Sequence, residues 1–397
     1  MSVEVESAWP VHWVAYLAAF DCRGAECEDT CCAGWSMQVD PERVAAYAVA
    51  GPRFEGVLSE EDGRPVLRRD GSAEDACNFL ESRLCSIQLR DGNGLLPDAC
   101  HFYPRVLRRL GDEVSVSAVL SCPEVTRLAL YGEGPMIFET RRLPRLPVHL
   151  PEYPLDTVAT NEALALVEGL VRWVDDTSVS PERVVVRLVS LARGVALRPM
   201  EMWPTSVPML MDSVDTALCA AKEDHGDLSS LLQVTCGLQV STGRPVPPRL
   251  QRMVSDIEAA LGVTVNWETL DVHSGPGFGA RVRRLERLWR TYQPTLDRPL
   301  RRWLQAQILF MNFPFAGLGE GLPERAQILA LRFAILRLGL MGILEQGLEG
   351  GEVVRVTQTC SRLLEHLSDP ELPINLMHAF GWDRCDRLRA LVGDFAA

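Results

Sequence analysis

With 397 residues, 47% of them apolar and 23% charged, the chain is long enough to bury a large core and to form two domains, and its composition is that of a globular protein. A formal net charge of −13 repels nucleic-acid phosphates and anionic membrane surfaces. It therefore excludes nucleic acid and membrane as partners on bulk electrostatics, and leaves a basic polypeptide favoured.

The chain begins with an acidic stretch, Met-Ser-Val-Glu-Val-Glu-Ser, where a secretory leader would be basic. The apolar run at residues 11–20 is short and has no small-residue cleavage site after it. A cytoplasmic, reducing location is the expectation. There, clustered cysteines hold metal or do redox work more often than they pair with one another.

Twelve cysteines are distributed unevenly. Cys22, Cys27, Cys31 and Cys32 fall in one short stretch that ends at Trp35, and Cys77, Cys85, Cys100 and Cys122 follow. Only Cys219, Cys236, Cys360 and Cys385 lie in the remaining two thirds. Thiols can pack as small hydrophobes, but Arg23, Glu26, Glu28 and Asp29 surround the first group and no apolar face links them. A disulfide framework would suit a secreted chain. The reading that fits a reducing compartment is a thiolate-bound metal or iron–sulfur centre, with structural zinc as the competitor.

Between Cys32 and Cys77 the sequence predicts a short strand from Ser36, then Asp40 as a helix cap with Pro41 at the first helical position, and a polar surface loop down to Asp75. Two β-like runs, residues 105–110 and 113–120, flank Gly111-Asp112 and predict a hairpin. Pro123 opens a helix toward Tyr131. Pro144, Pro147, Pro151 and Pro154 then exclude helix or central strand, and the domain boundary is placed there. Beyond it Leu164, Val167, Val171 and Val174 recur at helical spacing, and Ser180-Pro181-Glu182 starts another helix.

Leu300, Trp303, Leu304, Ile308 and Met311 share one face of a helix that stops before Pro314. Helices near residues 323–344, 352–366 and 374–392 complete the pattern. The apolar segment 326–344 contains Arg332 and Arg337, so it reads as a buried helix rather than a membrane span. The fold class is mainly α with a small β-containing cysteine-rich N-terminal region. Its division is a cysteine-rich domain over residues 1–140 and a helical domain over 141–397.

Cys22 to Trp35, then Cys77-Asn78-Phe79-Leu80 with Cys85-Ser86-Ile87, Cys100-His101-Phe102-Tyr103-Pro104-Arg105 and Leu120-Ser121-Cys122-Pro123-Glu124, resemble the flagellin lysine-N-methylase family. The middle motifs are also similar to small zinc- or iron-chelating proteins that lack a helical extension. The resemblance is specific over about the first 125 residues. It implies methyl transfer from S-adenosylmethionine to the ε-amine of lysine by a protein carrying an iron–sulfur cluster, such as a [4Fe–4S] centre. The acceptor would be a lysine-bearing protein, a peptide or the free amino acid. Radical enzymes that use this donor carry Cys-x3-Cys-x2-Cys, but after Cys27 and Cys31 the next position of that pattern is Gly34, so no radical mechanism is expected. A non-enzymatic chelating or cluster-handling protein and a redox protein are the alternative functions.

All eight upstream cysteines are metal-ligand candidates under this reading. Lysine must lose its proton before it attacks a sulfonium methyl. Tyr103 and Glu124, set in cysteine motifs, are the candidate bases, and Arg105 is a candidate for balancing cofactor charge. Arg362, Glu365 and His366 fall on one side of a predicted helix and are candidates for donor binding. Residues 270–279 look like the glycine-rich donor loop of doubly wound methyltransferases, yet no βαβ alternation surrounds them, which favours a turn between helices.

Overall fold

The computed structural model describes residues 8–72, 74–155, 157–214, 226–317, 321–365, 367, 369 and 371–394. Its N-terminal third carries strands β1 (Trp9–Val14), β2 (Leu58–Glu61), β3 (Arg64–Leu67), β4 (Leu80–Glu81), β5 (Leu84–Cys85), β6 (Arg105–Leu110), β7 (Glu113–Ala118) and β8 (Phe138–Leu143), followed by β9 (Glu152–Tyr153). Four short helices interleave them: α1 (Pro41–Tyr47), α2 (Ser86–Arg90), α3 (Asp98–Phe102) and α4 (Pro123–Tyr131). The caps follow the sequence. Asp40 accepts a hydrogen bond from the Arg43 amide at 3.1 Å, with Pro41 in the first turn.

Five strands form one sheet in the order β8, β1, β7, β6, β9. The β6–β7 hairpin turns at Gly111, whose φ of +61° few other residues adopt without strain, and pairs Arg105 with Ala118 and Leu110 with Glu113. The apolar run near the N-terminus becomes β1, which lies inside the sheet: parallel to β7, with His12 opposite Ser115, and antiparallel to β8 along Trp9 to Val14. Within the proline-rich stretch, β9 adds to the edge of β6. The polar loop after α1 holds the β2–β3 hairpin. The strand expected from Ser36 is reduced to a single bridge between Gln38 and Val66.

The rest is helical: α5 (Thr160–Val174), α6 (Pro181–Val195), α7 (Trp203–Met211), α8 (Gly226–Val240), α9 (Pro248–Leu261), α10 (Phe278–Met311), α11 (Leu322–Ile343), α12 (Gly350–Glu365), α13 (Leu372–Ala379) and α14 (Cys385–Val392). Where one helix was expected over residues 374–392, two form, separated at Gly381, whose φ is +66°. The glycine-rich stretch forms a small hairpin, β10 (Val263–Val265) with β11 (Val272–Ser274), and then the start of α10 at Gly277.

Among the described residues, α11 is the one helix long and apolar enough to cross a bilayer, and it lies wholly inside the protein. It packs on α6, α9, α12 and α14. A helix apolar on every side is stable in water only when neighbours cover every side. Of its three arginines, Arg332 and Arg337 are buried and find partners inside the protein, although the Nε of each has none. Arg332 donates to Gln307 Oε1 at 2.8 Å and to the Leu364 carbonyl, and Arg337 pairs with Glu286 at 2.6 Å over the Trp289 ring.

Two apolar cores result. The larger runs from β1 and the β6–β7 hairpin through α4 into all the long helices. The smaller joins nine residues between Met37 and Leu96, with Cys32, Cys85 and Cys100 packed against it.

Arg301 of α10 shows how the long helix is fixed. Only 4% exposed, it pairs with Asp297 at 2.8 Å and donates to the carbonyls of Val174, Asp176 and Val179, which join α5 to α6. Arg301→Met leaves those carbonyls and Asp297 without their donor. It should lower the unfolding free energy by about 3 kcal/mol, read from equilibrium urea unfolding.

Candidate functional site

The cysteine loop is built around Gly34. Its φ of +77° lets the chain turn after Cys31-Cys32-Ala33, and the Arg362 guanidinium lies 3.5 Å from where a Cβ on that residue would stand. The Cys77 amide then donates to the Cys32 carbonyl at 2.7 Å, and Ala33 bridges Ala76. Those contacts bring the first and second cysteine motifs together. Cys85 caps α2, where Ser86 donates to the Phe79 carbonyl, and Cys100 sits in α3. Thus Cys32, Cys77, Cys85 and Cys100 border the same small core.

These thiols are free and feel one another's charge. Cys32 is hydrogen-bonded to both Cys31 and Cys85, which pushes it far up and keeps its proton in place. The same bonds push Cys31 down to about 7 and Cys85 down to about 6. Burial, with the neighbouring cysteines adding to it, raises Cys100, and burial raises Cys77 to about 11. Cys27 feels the charge of Cys22 and Cys31, and Cys122 that of Cys27 and Cys31. Burial and the charge of Glu28 raise Cys27, and burial raises Cys122 at the cap of α4. Among the described residues, no group of three or more His, Cys, Asp or Glu side chains stands as a ready-made metal site.

Downstream helices hold this loop from outside. Arg362 of α12 donates to the Ala33 carbonyl at 3.0 Å and to that of Thr30, and its Nε lies 3.2 Å from Asp29. Arg249 of α9 pairs with the same Asp29 oxygen, and Gln358 donates both to it and, at 2.9 Å, to the Ser121 carbonyl. Burial, with the neighbouring Arg362 charge adding to it, disfavours charge on Arg249, while Cys27 opposes that shift.

A cavity of about 810 Å³ opens beside the clamp, between the cysteine loop, α9 and α12. Six arginines line it: Arg83, Arg127, Arg249, Arg252, Arg355 and Arg362. Four acids oppose them, Glu28, Asp29, Glu74 and Glu352, so the wall is locally positive in a chain of net negative charge. A second cavity of about 490 Å³ has Trp35, Glu61, Asp62 and Arg244 in its wall.

The other sequence-predicted residues disperse around this centre. Tyr103 stacks on Trp35 at 5.9 Å, hydrogen-bonds Ser121 at 3.3 Å, and is held as a neutral phenol by burial. Trp35 in turn donates to the Cys31 carbonyl at 2.8 Å. Glu124, in the first turn of α4, pairs at 2.9 Å with Arg127, which lines the large cavity. Arg105 donates to the carbonyls of His101 and Phe102 and so caps α3.

Arg362 faces the cysteine loop, whereas the half-buried Glu365 turns its carboxyl inward, where it accepts from Gln307 at 3.1 Å and burial raises its pKa. His366 lies outside the described residues. Sequence reasoning passed over Arg249 and Gln358, and noted Asp29 only as one of the charged residues around the first cysteines. Nothing local marks the first two, since their partner lies more than 200 residues upstream.

The site is thus a thiol-rich module clamped to a helical body, with an arginine-lined cavity at the junction. Over 122 residues the chain is 31% identical to the flagellar biosynthetic protein FliU of Salmonella muenchen, which covers 28% of this chain and 72% of that protein. Over 139 residues it is 31% identical to the lysine-N-methylases of Salmonella typhimurium and Salmonella choleraesuis, 32% of this chain and 34% of each of theirs. The chain belongs to the family of FliU, and it spans about a third of the length of the lysine-N-methylases it matches. No protein-family model and no solved structure matches it.

The thiol ordering has a direct readout. In metal-free protein, alkylation of exposed Cys31 by iodoacetamide should rise through about pH 7 instead of about 9, while buried Cys122 stays unmodified, as followed by peptide mass mapping across that range.

Proposed function

We propose that the chain is a cytoplasmic lysine N-methyltransferase, moving a methyl group from S-adenosylmethionine to the ε-amine of a lysine in a protein, a peptide or the free amino acid. The observation that carries this reading is the similarity to proteins named lysine-N-methylase. It is supported by a cavity of a volume suited to a small-molecule donor, bordered by the cysteine loop itself.

An iron–sulfur cluster fits the chemistry of the donor set. Such a cluster takes four thiolates: Cys32, Cys77, Cys85 and Cys100 are free thiols at the small core, Cys31 is hydrogen-bonded to Cys32, and Cys22, Cys27 and Cys122 complete the candidate set, which among the described residues is not preformed as a metal site. When bound, the cluster supplies an electron-transfer centre tuned by surrounding charge and burial. Arg249 and Arg362 in the adjoining cavity wall would offset its negative charge. S-adenosylmethionine would supply an electrophilic methyl carbon on its sulfonium, whose C–S bond breaks to leave a neutral thioether as the C–N bond forms.

The lysine attacks as the free amine, so a base takes its proton from an ammonium of ordinary pKa about 10.4. Glu124, held by Arg127 at the cavity edge, is the carboxylate assigned that role. Tyr103 instead keeps its proton and orients Trp35 and Ser121 against the loop.

Anaerobic purification with iron and sulfide counted, followed by donor titration and transfer of labelled methyl to a lysine-bearing protein, tests the reading. Iron with sulfide, donor binding and label on lysine are expected. Zinc alone with no donor binding would leave a chelating protein, and a reversible redox couple without transfer would leave a redox protein. Cys32→Ser and Cys85→Ser should each lower bound iron by more than about half. Cys236→Ser, whose thiol responds to Glu258 and not to these cysteines, should leave iron content unchanged.

A further inference from the structure

The large cavity carries more guanidinium than its own acids balance. One Asp29 oxygen serves both Arg249 and Arg362. Glu352 likewise serves both Arg252 and Arg355, and although Arg355 also meets Asp256 at 3.1 Å, its Nη1 is buried with no hydrogen-bond partner. A buried guanidinium nitrogen left unmatched is costly, and an incoming anion relieves it.

We propose that this cavity is the donor site and that Arg249, Arg362 and Arg355 receive the carboxylate at the amino-acid end of S-adenosylmethionine. The proposal rests on the methyltransferase reading and adds to it the place and polarity of donor binding. Planar guanidinium forks match a carboxylate bidentately, which a lone ammonium does not.

The mixed signs of the wall decide between ligand chemistries. A phosphate dianion would meet Glu28, Asp29, Glu74 and Glu352 in the same cavity. The donor is a zwitterion with additional positive charge on sulfur, so its carboxylate suits the arginines while its ammonium and sulfonium suit those acids. The cavity is also bordered by Thr30, Ala33 and Gly34, the residues next to Cys31 and Cys32, so a donor seated there lies against the thiol loop.

Calorimetric titration of the anaerobically purified protein with S-adenosylmethionine and with its decarboxylated analogue tests this. Wild type should bind the carboxylate-bearing compound about tenfold or more tightly, and Arg249→Met should abolish that preference while Arg249→Lys keeps part of it. Asp29 retains Arg362 and Gln358 in these variants, and circular dichroism checks that they fold. A preference that persists unchanged in Arg249→Met, or equal binding of both compounds to wild type, would overturn the proposal and leave the methyltransferase reading standing. No binding of either compound would remove both. Inorganic phosphate should not displace the donor, and displacement at similar concentrations would show a general anion site and refute carboxylate recognition.

Discussion

One carboxylate oxygen joins the beginning of the chain to its end. Asp29 is nearly buried, and stripping water from a carboxylate costs several kcal/mol unless donors replace it. The replacements come from α9 and α12, through Arg249, Gln358 and Arg362. Arg362 and Gln358 also bind main-chain carbonyls of the cysteine loop and of the Ser121 motif. Two cysteine motifs separated by some 90 residues are thereby held by one helix face. The thiols owe their mutual placement to residues that carry no sulfur.

That helix can act as a clamp because it is itself immobilised. It packs on α11, whose buried Arg332 reaches Gln307 of α10 and the last turn of α12. Gln307 in turn donates to Glu365, and Arg108 of β6 donates to the Phe310 carbonyl and covers the Phe310 ring at 4.4 Å. A chain of polar contacts thus runs from the sheet through the helical body to the clamp. Such networks are worth most when every member is satisfied, since low dielectric raises both the gain and the penalty.

Sequence signals were strongest where local chemistry decides structure. The hairpin at Gly111, the caps at Asp40 and Ser180, and the proline at the start of α4 all appear where their residues place them. The strand β1 was not legible, because Val11, Trp13 and Val14 read as an apolar run and only the parallel partner β7 makes them central. The proline-rich stretch concealed β9 for a similar reason: an edge position tolerates what a central one would not. At the site, the cysteines announced themselves by composition. Arg249 and Gln358 did not, since an arginine and a glutamine on amphipathic helices look like solvated surface until tertiary contact turns them inward. Arg362 and Glu365 share a side of α12 by spacing, yet one meets the loop and the other the core, because the helix lies in the seam between them.

The apolar core beneath the thiols comprises only nine residues, with Phe54 set between Tyr47 and Phe79 as its aromatic stack. A nucleus of that size buries too little surface to offset the entropy of ordering its own loops. Its persistence is borrowed from the helices that grip the adjoining loop through Arg249, Gln358 and Arg362. The thiol module is in that sense a dependant of the helical body, ordered together with it rather than alone.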